Sequence, residues 1–373
     1  MTYLDYSATT PVNEEVLKTF DEVTRKYIGN PNSLHRLGVE ANNIINAATE
    51  QIANLLKVNT NEIIYTSGSS ESNNLAIKGI AYKYQNRGKH IITTSFEHSS
   101  IYGPLNFLQK QGFKVDFVKT DSEGLVDVND LKNLLTEDTI LVSIGAVNSE
   151  IGIKQPIDEI GKILKEYPKC FFHVDMTQAL GKIDINLTNV DLASFSAHKI
   201  YGIKGIGMLF KKENIVIEPL IHGGKSTTIY RSGTPTTGLI VSFAKAMRLI
   251  LNSLDENYKY ISNLREKLVN SLKKCDGVYI NSNDKCIPQI VNISVIGIKP
   301  ETMQHALEKY DIFISTQTAC SSGNPVSPSV LALTNDEARA KSSIRISLSN
   351  LTTIEEIDYF INCFDKCYHD LKF

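Results

Sequence analysis

The chain carries almost no net charge. Its 39 Lys and Arg stand against 41 Asp and Glu, a formal charge of −2 over 373 residues. Without a strong field of either sign, nothing indicates direct nucleic-acid binding or an anionic membrane surface. No apolar run approaches the roughly 20 residues of a membrane span. The first residues lack the basic start and apolar centre of a signal peptide. We therefore expect a cytoplasmic protein with no membrane or nucleic-acid partner.

Paired cysteines are also missing. The six cysteines lie at positions 170, 275, 286, 320, 363 and 367, with no C-x-x-C pair. We expect no metal site and, without an export signal, reduced thiols. Hydrophobic residues make up 42% and charged residues 21%, as in ordinary globular proteins. A chain of this length predicts roughly two domains whose cores need neither disulfides nor metals.

The first two-thirds of the chain alternates strand-like and helix-like runs, without internal repeats. Helices are predicted from near Ser72 and over Ile157–Leu164. The strand-like runs are apolar and often β-branched without strict alternation, which is typical of strands buried on both faces. This pattern predicts an α/β fold with a mainly parallel sheet. The predicted strands are Glu62–Thr66, His90–Thr94, Phe113–Val118, Ile140–Val147, Phe171–Val174, Leu192–Phe195 and Gly207–Phe210.

A smaller α+β domain is predicted after a helical bridge. The bridge, Leu239–Leu272, contains no Pro or Gly. A strand over Ile290–Ile296, a helix over Glu301–Tyr310 and a strand over Ile344–Leu348 follow it. In the last helix an apolar face predicts core packing; it consists of Ile357, Phe360, Ile361 and Phe364. We expect a large domain over residues 13–250 and a small one formed by 1–12 and 251–373.

Lys199 lies in the segment Ser-Ala-His-Lys, between an apolar strand and a glycine-rich turn. A lysine that forms a Schiff base needs a fixed, partly desolvated position of this kind, so that its amine can be neutral. A surface lysine in a loop would give the same local pattern. The segment alone leaves both interpretations open.

Two further elements lie upstream. Asp175 ends an apolar run, so it should lie at the carboxyl edge of the sheet, where open α/β folds bind ligands. A carboxylate there can pair with a pyridinium nitrogen, but a lone Asp after a strand is equally a turn or cap residue. The segment Tyr65–Asn74 reads as strand, Gly/Ser turn and helix start, which suits phosphate but occurs in many α/β turns.

Together these elements resemble the class V aminotransferases among the pyridoxal-phosphate (PLP) enzymes of fold type I. Within them the chain most resembles the cysteine desulfurases of the NifS/IscS type. The resemblance implies PLP as cofactor, a large mainly parallel-sheet domain with a smaller α+β domain, and a homodimer. It is carried in order by residues 3–11, 29–33, 65–74, 96–99, 147–152, 173–178, 196–199, 231–234, 318–320 and 343–348.

The resemblance also implies roles around the cofactor ring. Lys199 would carry PLP as a Schiff base and later remove the substrate's Cα proton. Asp175 would hold the ring nitrogen, and His98 would stack on the ring and assist proton transfer. Gln178 and Asn148 would contact the ring's phenolic oxygen or its surroundings. A lone His is otherwise most often a polar residue satisfied by local hydrogen bonds.

Other roles concern the phosphate and the substrate. Thr234 would reach the phosphate of the other subunit. Arg345 would clamp the substrate carboxylate with its planar two-donor fork, although a lone Arg in a strand is usually a surface residue. The same-subunit phosphate ligands would be Ser69, Ser70, Ser196 and His198.

Cys320 distinguishes a desulfurase from other members of the family. It lies in a Ser-, Thr-, Gly- and Pro-rich segment, 315–328, which predicts an exposed loop. The resemblance implies that its thiolate takes sulfur from L-cysteine as a persulfide, releases L-alanine and passes the sulfur to an acceptor protein. That acceptor would be an iron–sulfur scaffold or a tRNA-thiolating enzyme. A free cysteine is otherwise most often a small apolar residue packed inside the protein.

Departures from the family pattern leave alternatives open. The segment His222–Thr234 reads differently from the usual glycine-rich form, and Thr316-Gln-Thr-Ala replaces a more usual glycine-containing run. The chain ends at Phe373 without the tail with which IscS-type proteins dock a scaffold, which puts that partner in doubt. A class V aminotransferase or a selenocysteine lyase would use the same cofactor site. A non-catalytic scaffold would be expected to have lost Lys199, Asp175 or Arg345.

Overall fold

The computed structural model describes residues 1–316 and 326–372. The strands in these ranges are β1 (Thr2–Tyr3), β2 (Ile63–Thr66), β3 (His90–Thr93), β4 (Lys114–Phe117), β5 (Thr139–Gly145), β6 (Phe171–Asp175), β7 (Leu192–Ser196), β8 (Gly207–Lys211), β9 (Val278–Ile280), β10 (Ile290–Val295), β11 (Ile312–Phe313) and β12 (Ser343–Ser347). The helices are α1 (Glu14–Lys26), α2 (Arg36–Leu56), α3 (Ser69–Tyr84), α4 (Ser99–Gln109), α5 (Val128–Leu134), α6 (Ile157–Leu164), α7 (Thr237–Asn252), α8 (Leu254–Leu272), α9 (Pro300–Glu308), α10 (Pro328–Thr334), α11 (Glu337–Lys341) and α12 (Ile354–Lys372).

A mixed sheet organises the first two-thirds of the chain, in the order β2-β8-β7-β6-β5-β3-β4. Its pairs from β7 to β4 are parallel, and β8 runs antiparallel to both of its neighbours. The predicted α/β fold with a mainly parallel sheet is therefore confirmed. Because the strands are covered on both faces, nearly every position of β5 is buried, as its continuous apolar run predicts.

Helices cover both faces of this sheet, with a separate apolar cluster on each. One cluster includes Ile77 and Ile80 of α3 with Ile101 of α4. The other includes residues of α2, α6 and α7. Helix α6 has the predicted bounds, and Ile157, Ile160, Gly161 and Leu164 form its buried side. This two-sided packing places the carboxyl ends of the parallel strands at one open edge of the sheet.

Two sequence predictions were wrong in detail. The helix expected near Ser72 begins at Ser69, because Gly68 adopts a backbone conformation (φ +154°) available mainly to glycine and turns the chain directly into the helix. The predicted bridge is two helices, α7 and α8, bent by 65°. At the junction the Ser253 hydroxyl donates to Leu249 O and accepts from Asn257 Nδ2, so that it serves both helix ends.

The C-terminal part has its own antiparallel sheet, in the order β12-β10-β9, and its own apolar cluster. Helix α12 contributes Ile357, Phe360 and Phe364 to that cluster, while Ile361 is only partly buried. Strand β1 pairs in parallel with β11. The first residues therefore lie against the C-terminal part, and the proposed division into domains stays a prediction.

After β1 the chain returns to the large sheet. Thr10 N donates to His198 O, and Asn13 N donates to Tyr201 O. Residues 5–10 thus lie between the two parts of the molecule. Within the described ranges no single helix is long and apolar enough to cross a membrane, while the bent pair α7 and α8 passes that test jointly by length and composition.

Candidate active site

A cavity opens at the carboxyl edge of the large sheet, where β5, β6 and β7 end. The ends of these strands and the starts of α3 and α4 surround it, together with residues 7–8 and β12. Side chains from distant parts of the sequence therefore converge at one place. The cavity is lined by these residues predicted from the sequence: Ser69, Ser70, His98, Asp175, Gln178, His198, Lys199 and Arg345.

Asp175 is the last residue of β6, and its carboxylate is held at both oxygens. Oδ1 accepts from Thr177 N at 2.9 Å, and Oδ2 accepts from Asn73 Nδ2 at 2.8 Å. Because the two donors approach from different elements, the carboxylate has one defined orientation toward the cavity. An oriented carboxylate of this kind can pair with a cationic ring nitrogen.

Lys199 lies in a short 3-10 turn directly after β7. Its ammonium donates to Ser7 O at 2.5 Å and to Ala8 O at 2.7 Å. Gln178 Nε2 donates to the same Ser7 carbonyl, and its Oε1 accepts from Lys182 Nζ at 2.8 Å. The segment at residues 7–8 therefore fixes both the lysine and the glutamine against the cavity.

Lys182 is a functional candidate that the sequence analysis missed. The side chain is buried, and burial, reinforced by the charges of Lys199 and Arg345, lowers its pKa to about 7. No motif distinguishes it from a surface lysine after a turn. Only the fold shows that its ammonium lies behind the cavity.

The start of α3 forms a neutral, donor-rich end of the cavity. The first N–H groups of a helix have no partner within the helix, and its dipole favours an anion there. Ser69 and Ser70 add hydroxyls at this point. The turn also needs glycine at a close approach, because a Cβ on Gly207 would come within 2.6 Å of Gly68 Cα.

His198 borders the same end. Its Nδ1 lies 3.2 Å from Thr9 Oγ1. Burial and the neighbouring Lys199 charge lower its pKa to about 4. The ring is therefore neutral at physiological pH and offers a polar contact without a net charge.

Arg345 supplies the charged end of the cavity. Although it is a strand residue of β12, its side chain is only 1% exposed. Nη2 donates to Asp5 Oδ1 at 2.7 Å, and Nη1 donates to Ser149 O at 2.9 Å. Nε is buried and has no hydrogen-bond partner in the described ranges. A fixed guanidinium with unused donor capacity is suited to a carboxylate ligand.

His98 and Glu97 also line the cavity. His98 caps α4, and its Nδ1 accepts from Ser100 N at 3.2 Å. Burial lowers the pKa of His98. Glu97 is enclosed by protein, although part of its surface opens into the cavity, and burial raises its pKa to about 8. The sequence analysis gave Glu97 no role, since a glutamate beside a motif histidine has no distinguishing pattern.

Three predicted residues do not line this cavity. Asn148 is buried and fully engaged, with Nδ2 donating to Phe96 O and Oδ1 accepting from Glu150 N and Ile151 N. The Asn148 amide therefore shapes the 147–152 turn, and its predicted contact with the ring's phenolic oxygen or its surroundings stays a prediction.

Ser196 and Thr234 lie outside the cavity for different reasons. Ser196 ends β7 and is buried beside Gly68, behind the start of α3. Thr234 is exposed, in a separate surface depression that includes Ser67 and Arg231. The same-subunit phosphate contact of Ser196 and the cross-subunit phosphate contact of Thr234 both stay predictions.

Cys320 lies outside the described residues. The described flank before it is tied to the cavity, since Ser315 N donates to Arg345 O at 3.1 Å and Arg345 N donates to Ser315 O at 2.7 Å. On the other side Ser327 Oγ donates to Glu150 Oε1. The segment that carries the cysteine therefore begins next to Arg345.

Comparison with known proteins agrees with this geometry. A family model described as aminotransferase class-V matches residues 2–360. A "NifS/IcsS protein homolog" from Lactobacillus delbrueckii subsp. bulgaricus is 44% identical over 374 residues, 99% of this chain and 97% of that protein. A "Cysteine desulfurase IscS" from Clostridium botulinum is 41% identical over 372 residues, 98% of this chain and 93% of that protein.

A solved structure named "NIFS-LIKE PROTEIN" superposes with a TM-score of 0.93 at 38% identity, covering 100% of this chain and 99% of that one. The chain therefore belongs to the class V aminotransferase family. Its fold is PLP fold type I. The Clostridium botulinum relative, which it matches over nearly the whole length, carries the name cysteine desulfurase.

Proposed function

We propose that the protein is a PLP-dependent cysteine desulfurase, which converts L-cysteine to L-alanine and holds the sulfur as a persulfide on Cys320. The observation that carries the proposal is the convergence of Lys199, Asp175 and Arg345 on one cavity. Lys199 is suited to react with an aldehyde, Asp175 to pair with a ring nitrogen, and Arg345 to bind an amino-acid carboxylate. The names of the full-length relatives supply the choice of reaction.

The donor set of the cavity fits PLP. Asp175 would hold the ring nitrogen, the start of α3 with Ser69 and Ser70 would hold the phosphate, and Lys199 would carry the aldehyde carbon. When bound, PLP supplies an electron sink for the substrate's Cα–H bond. The lysine amine must first leave the Ser7 and Ala8 carbonyls, to which it donates hydrogen bonds.

The chain's own residues then handle the substrate. Arg345 binds the carboxylate and orients the amino acid relative to Lys199, which removes the Cα proton. The Cys320 thiolate attacks the substrate sulfur, so that an S–S bond forms as the C–S bond breaks. The bonding pair of the C–S bond stays with the substrate's Cβ, which takes up a proton. Lys199 then returns its proton to Cα, and the product leaves as alanine. A sulfur-acceptor protein then receives the outer sulfur.

The test is alanine formation by the PLP-loaded protein given L-cysteine and a thiol reductant. We expect alanine and sulfide in equal amounts. Cys320→Ser should bind PLP normally, judged by its absorption, but form neither persulfide nor alanine. Cys275→Ser is the matched control, because that thiol is partly exposed and does not line the cavity. Full turnover by Cys320→Ser would refute the assignment.

The same assay separates the alternatives. A class V aminotransferase would convert the amino acid to its keto acid without sulfide. A selenocysteine lyase would release selenide from selenocysteine while leaving cysteine unchanged. A thiolate nucleophile needs a reducing compartment, so we propose a cytoplasmic location.

We further propose a homodimer. Support comes from Thr234, whose exposed position leaves it available to a second subunit, and from large apolar side chains on the surface. Leu34 is 97% exposed and Ile28 is 75% exposed. Burying these side chains against a second subunit would remove their apolar surface from water. Sedimentation should give twice the chain mass, and Leu34→Glu should shift it toward the monomer. Leu351→Glu, at a 51% exposed site, is the control.

A further inference from the structure

A buried polar chain links Asp175 to His98 behind the cavity. Asn73, in the second turn of α3, is completely buried. Its Nδ2 donates to Asp175 Oδ2 and to Ser100 Oγ, both at 2.8 Å. Ser100 Oγ in turn lies 2.8 Å from His98 Nδ1. Four side chains from three elements thus form one connected row.

The direction of the Asn73 amide follows from its partners. An ionised carboxylate can only accept hydrogen bonds, so the nitrogen of the amide must face Asp175. The opposite atom, Oδ1, is buried and has no hydrogen-bond partner within residues 1–316 and 326–372. The amide therefore keeps an orientation that leaves its oxygen unsatisfied, because the reverse one would set two acceptors against each other.

The direction of the Ser100 hydroxyl follows next. Since Ser100 Oγ accepts from Asn73, its own hydrogen is available for His98 Nδ1. The Ser100 backbone N–H also points at that nitrogen, at 3.2 Å. Nδ1 of His98 thus receives two donors and must be the bare, accepting nitrogen of the neutral ring.

We infer that Asn73 and Ser100 are positioning residues that hold His98 in its Nε2–H tautomer and thereby present a proton donor, not a base, to the cavity. Nε2 lies across the imidazole ring from Nδ1, and His98 lines the cavity. The inference rests on the proposed function and assigns its proton transfers to two different residues. Lys199 is left as the base, and His98 begins the cycle able to donate.

The experiment uses PLP-loaded protein with ¹⁵N-labelled histidine, since nitrogen shifts distinguish a bare from a protonated ring nitrogen. His98→Gln identifies the His98 signals. We expect a bare Nδ1 and a protonated Nε2 in the native protein. In Ser100→Ala and Asn73→Ala both shifts should move toward intermediate values, as the two tautomers exchange. Ser99→Ala, an exposed serine of the same helical turn, should leave them unchanged.

Kinetics provide the second readout. General acid catalysis contributes roughly 10²–10⁴-fold, and loss of the preferred tautomer should lower kcat by about ten-fold in Ser100→Ala, with KM unchanged. Native His98 protonated at Nδ1, or unaltered shifts in Ser100→Ala, would overturn the inference. Asn73→Ala could fail to fold, in which case Ser100→Ala decides alone. Because the shifts are read without substrate, their outcome is independent of whether cysteine is turned over.

Discussion

The two ends of the cavity offer an anion different physical means of binding. At the start of α3 the donors are neutral and numerous: backbone N–H groups, two serine hydroxyls and His198. At the other end one buried cation, Arg345, does the same work with two bonds already made to the protein. The first end distributes its interactions, and the second concentrates them in one side chain.

This difference predicts how each end responds to mutation. Removing one of several neutral donors leaves the others in place, so that the loss is small. Removing the single guanidinium leaves the substrate carboxylate unbound. Removing its partner, Asp5, leaves a buried charge unpaired. In both cases the loss of binding or of stability is large. The difference between the ends also suits the two proposed ligands, because a cofactor stays bound while a substrate must leave after each turnover.

The largest effect is expected at Arg345. Arg345→Lys keeps the charge but loses the planar fork, so KM for cysteine should rise about 100-fold, or about 3 kcal/mol in kcat/KM. Cofactor absorption should be unchanged. Arg339→Lys, an arginine that also holds buried acceptors but lies away from the cavity, is the control. Equal KM values for the native protein and Arg345→Lys would abolish the contrast between the ends.

Asp5→Asn should have the next largest effect, on stability. The carboxylate and Arg345 form a buried ion pair, with side-chain exposures of 19% and 1%. Breaking a buried pair usually costs about 3–5 kcal/mol; because the amide oxygen still accepts a bond, we expect about 2 kcal/mol in the free energy of unfolding. Urea denaturation measures it. The exposed Asp184→Asn should show no change, and equal loss in both variants would argue against the pair.

The neutral end should respond weakly. Ser69→Ala and Ser70→Ala each remove one hydroxyl, so the dissociation constant of PLP should rise about five-fold, or about 1 kcal/mol. KM for cysteine should stay the same. Cofactor release on dilution, followed by fluorescence, gives the constant. A hundred-fold loss from one serine would mean that this end, too, depends on a single group.

The sequence predicted the parts of the molecule that follow local rules. Apolar runs located the strands, and Ile157–Leu164 was placed correctly because its acidic first turn and apolar spacing lie within the helix itself. The start of α3 was placed three residues late. Its position depends on the unusual backbone of Gly68, which a Gly/Ser-rich stretch does not announce.

The site was predicted less completely, for a physical reason. Motif residues such as Asp175 and Lys199 were found because their types and order are specific. Their supporting residues, Asn73, Asp5 and Lys182, are ordinary side chains whose role comes from burial and from partners far along the chain. A sequence contains no local signal for a partner 340 positions away, as in the Asp5–Arg345 pair.

Lys182 offers the most specific test, since it does not line the cavity itself but donates to Gln178, which does. Its pKa is lowered from 10.5 to about 7 in the folded protein. Between these values the unfolded chain holds a proton that the folded protein has released, so the free energy of unfolding should rise as the pH rises from about 7 to about 10.5.

The limiting slope is about 1.4 kcal/mol per pH unit, and about half of that near pH 7, where the folded group is half titrated. Lys182→Met should remove this rise, as followed by urea denaturation at several pH values. Lys162→Met, an exposed lysine of α6, should retain it. If Lys182→Met keeps the native slope, the ammonium is not desolvated. The surroundings of Lys182 behind the cavity would then be polar. Arg345 would lose part of the low-dielectric setting that strengthens its interaction with a carboxylate.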